Sequence, residues 1–393
     1  EEAMRFFEPA PYNETVELCP GVRARFLDAG HILGSATVEV WVTENGRETK
    51  IVFSGDVGRP GRPILRDPTV AESADVLLIE STYGNRIHDT VPEPTQALFN
   101  IVNATRSVGG RVIIPSFAVG RTQAIIYELN ALVESGRLPV IPTYIDSPLA
   151  VEATRVFRRH RECFDGGALQ RLSRGDDPFE FPGLHLVTTT ADSQRLNDMQ
   201  EPAIIISASG MCTAGRIRHH IKHNIGDSRN TILFVGYQAE NTLGRKLRDG
   251  AEYIKLFGER RRVRAKIEAL DGFSAHADQS ELLEWLSGMR ERPKVVFTVH
   301  GETPCALTLA YCIGRRIGIP AYAPELYETL DLGQLDALTA RAEEQRAIFA
   351  ASLPEGEDGF PCPVCLSPAE DTHGEQEPSD WEETAQAPRT VHR

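Results

Sequence analysis

Short apolar runs that end on a single ionisable residue recur along this chain, and that pattern does most to limit its fold. Val76–Ile79 leads into Glu80, Ile51–Ser54 leads across Gly55 into Asp56, and Val295–Val299 leads into His300 with Gly301 behind it. His31 occupies a glycine turn, Asp28-Ala-Gly-His-Ile-Leu-Gly-Ser35, and His276 stands in Gly272-Phe-Ser-Ala-His-Ala-Asp278 just ahead of a helical stretch. Apolar runs of this length bounded by Gly, Asn and Pro read as strands. Where such strands alternate with helices they form a layered α/β sheet, and loops at strand ends carry side chains on a rigid support. No run approaches the roughly 18–20 apolar residues needed to cross a bilayer, so no membrane association is expected.

Residues 1–84 read as β-rich, with runs at Arg23–Leu27, Ala36–Val42, Lys50–Phe53 and Val76–Ile79. From about 93 to 245 the pattern alternates. Helical spacing at Thr95–Val108, Arg121–Ser135 and Arg216–His223 is interleaved with strand-like Arg111–Pro115, Val140–Ile145, Ala203–Ile206 and Thr231–Val235. Beyond 250, strands are expected at Tyr253–Leu256, Val263–Leu270 and Lys294–Val299, and helices at Gln279–Met289, Thr303–Ile317 and Leu332–Glu344. There is no internal repeat. The stretch from about 354 is acidic and rich in Pro, Ser and Glu, a composition that stays disordered.

A length of 393 residues suits two or three domains, and 41% hydrophobic residues exclude a wholly disordered chain. The net charge of −14 argues against a generally basic nucleic-acid coat. Residues 354–393 account for −8 of it, however, which leaves room for a local positive groove in the rest. Only six of the 42 basic residues are Lys, and Arg suits bidentate phosphate contacts. Seven scattered Cys form no disulfide framework and point to a reduced, cytoplasmic setting. The chain opens Glu-Glu-Ala-Met with no signal peptide and reads as a fragment or processed form.

Imidazole and carboxylate groups brought together at strand ends suit Zn²⁺ or a similar divalent ion. An Asp between two ions can bridge them, and a two-metal site activates water and stabilises a leaving oxygen. Singly, each residue has a plainer reading: His31 and His276 as hydrogen-bonded loop residues, Asp56 and Glu80 as turn or cap residues. Only the set points to a site.

Gly-His31-Ile-Leu-Gly-Ser-Ala, Phe-Ser-Gly-Asp56, Glu80-Ser-Thr-Tyr-Gly, Phe-Ser-Ala-His276-Ala-Asp and Val-His300-Gly-Glu occur in that order. They resemble the later motifs of the metallo-β-lactamase superfamily, in its β-CASP branch of nucleic-acid-processing nucleases. Ile114–Gln123, Ser207–Met211 and Gly236–Arg245 are similar to bacterial members, and the resemblance spans about residues 20–325. It implies an α/β fold: an αββα sandwich, its N-terminal part truncated, with an inserted α/β β-CASP domain. The implied division is 1–88 (first part of the sandwich), 89–270 (β-CASP), 271–350 (returning part) and 351–393 (acidic tail).

Residue by residue, the resemblance makes His31 a metal ligand, Asp56 the bridging ligand and His300 the late ligand. His276 becomes the general acid and Glu80 the carboxylate that orients it. The implied activity is that of a zinc-dependent ribonuclease with two Zn²⁺ ions in the complete site. It would use metal-activated water and leave 5′-phosphate and 3′-hydroxyl ends. Internal cleavage is preferred over 5′-exonucleolysis because the features of ribonuclease J are not evident. DNA-repair members tend to carry an apolar residue where His300 stands, which favours RNA. The family's His-x-His-x-Asp-His motif is absent, since no His precedes His31. Truncation is the preferred reading over a degenerate paralogue, and this stretch alone is expected to be impaired. The alternative function is a catalytically silent RNA-binding or scaffolding homologue, and a homodimer is open to either.

RNA contacts are expected at two strand-to-helix turns. Ser207, Ser209 and Gly210 lie in one that reads as opening a helix whose N–H groups receive a phosphate, with Arg216 and His219 following. Ser116 and Arg121 lie in the other, and for both serines the plainer alternative is a helix cap. His219 and His223 are four apart, but a metal there is disfavoured. Arg260–Arg264 reads equally as a phosphate contact or a solvated face, and Cys362–Cys365 as half a zinc ribbon or part of a flexible tail.

Overall fold

The computed structural model describes residues 2–88 and 94–353; most of the expected acidic tail, with Cys362 and Cys365, lies outside the described residues. The chain opens with an antiparallel ladder of β1 (Thr15–Cys19), β2 (Val22–Asp28), β3 (Ala36–Glu44) and β4 (Arg47–Phe53). Asn45 and Gly46 join β3 to β4 with φ of 52° and 75°, the left-handed pair that a two-residue hairpin needs. β5 (Val76–Glu80) then adds to β4 in parallel.

The chain next builds a second sheet from α1 (Pro94–Ser107), β6 (Val112–Pro115), α2 (Arg121–Glu134), β7 (Thr143–Asp146), α3 (Pro148–Arg159), α4 (Gly166–Ser173), β8 (Leu184–Val187), α5 (Thr190–Asp198), β9 (Ile204–Ser207), α6 (Ile217–Asn224), β10 (Thr231–Phe234) and α7 (Leu243–Arg248). A hairpin of β11 (Tyr253–Leu256) and β12 (Glu259–Arg262) precedes β13 (Lys266–Ala269). The strand order is β13-β10-β6-β9-β7-β8 with every pair parallel. All residues of β6, β9 and β10 are buried, as continuous apolar runs require when helices cover both faces. Alternation divides them: Ile114 packs with Leu98, Ile125 and Leu129 of α1 and α2, while Ile113 packs with Ile217 and Ile221 of α6.

The chain returns to the first sheet through α8 (Gln279–Ser287), β14 (Val295–Val299), α9 (Thr303–Cys312), β15 (Ala321–Tyr322) and α10 (Leu335–Ala351). β14 inserts between β5 and β15, giving the order β1-β2-β3-β4-β5-β14-β15. Its register with β5 is parallel, Val295 opposite Val76 through Val299 opposite Glu80, and Phe53 of β4 lies opposite Leu78. Parallel strands in this register all point their carboxyl ends to one edge. Asp56, Glu80 and His300 therefore emerge side by side, and the α/β class expected from the sequence is the one observed.

Several details depart from the sequence reading. α6 begins at Ile217, so Ser207–Met211 does not open a helix; a loop of nine residues intervenes. The helix expected to reach Ile317 ends at Cys312, and its last turn widens to π geometry over Ile313–Ile317. β1, α3, α4, β8, α5 and α7 were not anticipated.

Candidate active site

Asp56, just beyond β4, turns its two carboxylate oxygens to two different imidazoles. Oδ2 lies 3.7 Å from His31 Nε2, and Oδ1 lies 3.2 Å from His300 Nδ1. The His276 ring centroid is 4.3 Å from that of His31 and 6.2 Å from that of His300. His276 Nδ1 donates to Glu80, at 3.1 Å from Oε1 and 3.0 Å from Oε2. All five side chains singled out in the sequence thus meet in one place.

Backbone contacts explain how. Asp28 Oδ1 accepts from Gly30 N–H, and Ser35 Oγ accepts from His31 N–H, which closes the His31 turn from within. Gly58 N–H donates to Ala29 C=O, and Ala277 N–H donates to Val57 C=O, so the loop after Asp56 is stitched between the His31 and His276 loops. A Cβ at Gly58 would fall 2.1 Å from Gly30 O, so only glycine permits this approach. His300 has φ of 54°, a strained conformation for a non-glycine residue, with its carbonyl accepting from the Thr82 hydroxyl at 3.2 Å.

Electrostatics follow burial. Glu80 is 1% exposed; burial would raise its pKa, but the hydrogen bond and charge of His276 outweigh this and hold it below the ordinary carboxylate value. A buried ionised Glu80 fixes the His276 proton on Nδ1 and leaves Nε2 for other work. Burial and the neighbouring His276 push His31 down to about 4, so it is neutral near pH 7. Its Nδ1 is buried without a hydrogen-bond partner. Two donor groups within 4.8 Å can be drawn here, His31–Asp56–His276 and Asp56–Glu80–His300. Two imidazoles flanking a carboxylate make a donor set that fits divalent ions.

The expected RNA contacts divide. Parallel pairing of β6 with β9 sets the turns after Pro115 and Ser207 side by side, with Gly210 packed on the Phe117 ring. Ser209 is partly exposed there, but Ser116 and Ser207 are buried. The Ser207 hydroxyl donates to Asp146 C=O and that of Thr122 to Ser116 Oγ, so neither serine faces a ligand or caps a helix. Arg216 is also turned inward, donating to Asp146 Oδ1 at 2.7 Å and to Thr188 C=O. His219 stacks on Phe257 instead, ring centroids 4.5 Å apart. Arg121 is partly exposed at the start of α2, where Gly120 touches Ile32 beside His31.

Sequence reasoning missed His88, Tyr237 and Glu302. His88 Nε2 donates to His276 C=O at 3.0 Å, and its backbone N–H donates to Asp278, which caps α8. Tyr237 donates to Glu302 Oε1 and ties the second sheet to the turn after His300. Tyr237 and Glu302 stand within motifs already quoted, and His88 follows Glu80-Ser-Thr-Tyr-Gly by four residues. Burial and then the charge of Arg59 push His88 down to about 4. Unfolded, the same group takes up a proton near its ordinary value of about 6.5. Stability should therefore decline as pH falls from about 6.5 toward 4, His88 contributing on the order of 2 kcal/mol to the loss. Urea midpoints at pH 7 and pH 4 will check this, and His88→Gln should show a smaller decline than the parent.

A family profile described as the Beta-Casp domain matches residues 122–247. Another, described as the Zn-dependent metallo-hydrolase RNA specificity domain, matches residues 260–324. Ribonuclease TTHA0252 of Thermus thermophilus is 38% identical over 316 residues, covering 80% of this chain and 71% of that protein. Transcription termination factor FttA of Pyrococcus abyssi is 36% identical over 332 residues, 82% of this chain and 50% of the factor. An RNase J-like protein of Methanocaldococcus jannaschii is 32% identical over 327 residues, 82% of this chain and 74% of that protein. The chain spans about half the length of the archaeal termination factors. Shared identity over four-fifths of its length, on a sheet interrupted by a second parallel sheet, places the chain in the β-CASP branch of the metallo-β-lactamase superfamily, a family of RNA-processing nucleases.

Proposed function

We propose that this chain carries the hydrolytic centre of a zinc-dependent ribonuclease that cuts RNA internally. The observation that carries the reading is Asp56, whose two oxygens face His31 and His300. His31, Asp56 and His300 would hold the metal, with Asp56 shared between two ions; when bound, these supply a water of lowered pKa and offset charge at phosphorus. His276, its Nδ1 proton committed to Glu80, gives the Nε2 proton to the 3′ oxygen as the P–O bond breaks. The products are a 5′-phosphate and a 3′-hydroxyl. Three donors with one shared hold two ions weakly, so this stretch alone is expected to bind metal poorly. The RNA strand runs along the carboxyl edge of the second sheet, past Ser209 and the exposed Phe117 ring, where a crossed parallel sheet presents its ligand crevice.

The full-length protein, with its metal content measured, should cleave both linear and closed circular single-stranded RNA. Cleavage of linear RNA alone would replace internal cutting by end-dependent cutting. Cleavage of duplex DNA with no action on RNA would overturn the substrate. Tight RNA binding by metal-loaded, folded protein with no cleavage would leave the silent RNA-binding homologue as the correct reading.

A further inference from the structure

Between the two sheets, alongside His31, lies a cavity of about 70 Å³ walled in part by Arg59, Arg62, Arg121, Phe157 and Phe273. That is several times the roughly 10–15 Å³ that one water needs. Its charge is unbalanced. Arg59 donates through Nε to both oxygens of Glu281, at 3.0 and 3.1 Å, but its Nη1 is buried without a partner. Arg121 is only partly exposed, its Nε is also buried without a partner, and its guanidinium lies beside Gly236. Glu128 lines the same cavity and accepts from the Thr95 hydroxyl at 2.6 Å. Three guanidinium groups thus line the cavity with one carboxylate, Glu128, while Glu281 holds Arg59 from outside it and also accepts from Asp278 N–H. Burial, and the charges of Arg62 and Arg59, push Arg121 down to about 10. Burying like charges with donors unmet is costly unless an anion completes the set.

We propose that Arg59, Arg62 and Arg121 form a phosphate-binding pocket joined to the hydrolytic centre through His31. Planar guanidinium groups match a phosphate's oxygens in pairs, and the room available suits one phosphate group with its immediate neighbours. Its occupant is either a phosphate of the bound RNA strand or free inorganic phosphate. The first source rests on the ribonuclease reading, and the second does not.

Isothermal titration of the metal-loaded, full-length protein with inorganic phosphate tests the pocket. Arg62 is partly exposed, so Arg62→Gln keeps the fold whether or not Arg121→Met does. Arg62→Gln should weaken phosphate binding at least tenfold, while His300→Ala leaves it in place. Phosphate binding lost in His300→Ala but unchanged in Arg62→Gln would assign the ion to the metals and overturn the pocket, as would no phosphate binding at all. A non-cleavable 2′-O-methyl RNA without terminal phosphates separates the sources. If the strand occupies the pocket, Arg62→Gln weakens its binding about tenfold and inorganic phosphate competes with it. If free phosphate does, RNA affinity is the same in both proteins. Phosphate binding by a parent protein that cuts no RNA would remove the ribonuclease reading and leave the pocket standing.

Discussion

Asp56→Asn is expected to strip metal from the centre and lower RNA cleavage by more than a thousandfold. The carboxamide keeps the shape of the side chain but surrenders its charge and replaces one oxygen by an N–H donor. Because Asp56 faces His31 Nε2 on one side and His300 Nδ1 on the other, either orientation of the amide places NH₂ where an imidazole nitrogen and a metal must be served. If Asp56 bridges two ions as proposed, both would lose a ligand in one substitution, and the effect should exceed that of removing either histidine. Metal per chain by elemental analysis, read beside single-turnover cleavage, will decide it. Retention of full metal content and rate would show that Asp56 bridges nothing.

His276→Ala should separate chemistry from metal binding. The metal content is expected to stay at the parent level while cleavage slows by about 10²–10⁴, the usual worth of a positioned proton donor. Glu80→Gln, which keeps a hydrogen bond but no charge at His276 Nδ1, should slow cleavage less than His276→Ala does. A rate for His276→Ala equal to the parent's would remove its assignment as the acid.

Much of the site was legible because it is made of strand ends. A buried parallel strand announces itself as an unbroken apolar run, and the first polar residue after it has to emerge at the sheet's edge; Glu80 and His300 are both of this kind. The residues expected to contact RNA were less legible because their placement depended on where a turn leads. Ser207 looked like the start of a helix, but the chain loops for nine residues before Ile217, and its hydroxyl is spent on Asp146. Arg216 looked like a surface cation, yet Asp146 across the sheet had no sequence signature as its partner. The helices between 148 and 198 carry N-caps at Ser147, Asp165 and Thr189, but they are short, and α4 buries only Ala168 and α5 only Ser193 with Leu196. Arg59 and Arg62 sat in a Gly-Arg-Pro-Gly-Arg-Pro loop with no periodicity to mark them as lining a cavity.

The insertion of β14 beside β5 also has a meaning for how the protein is made. Val76 finds Val295 only after everything between them has been translated. A copy whose synthesis halts before His276 lacks both His276 and His300. The cluster around Asp56 is therefore complete only once the returning strand has been made.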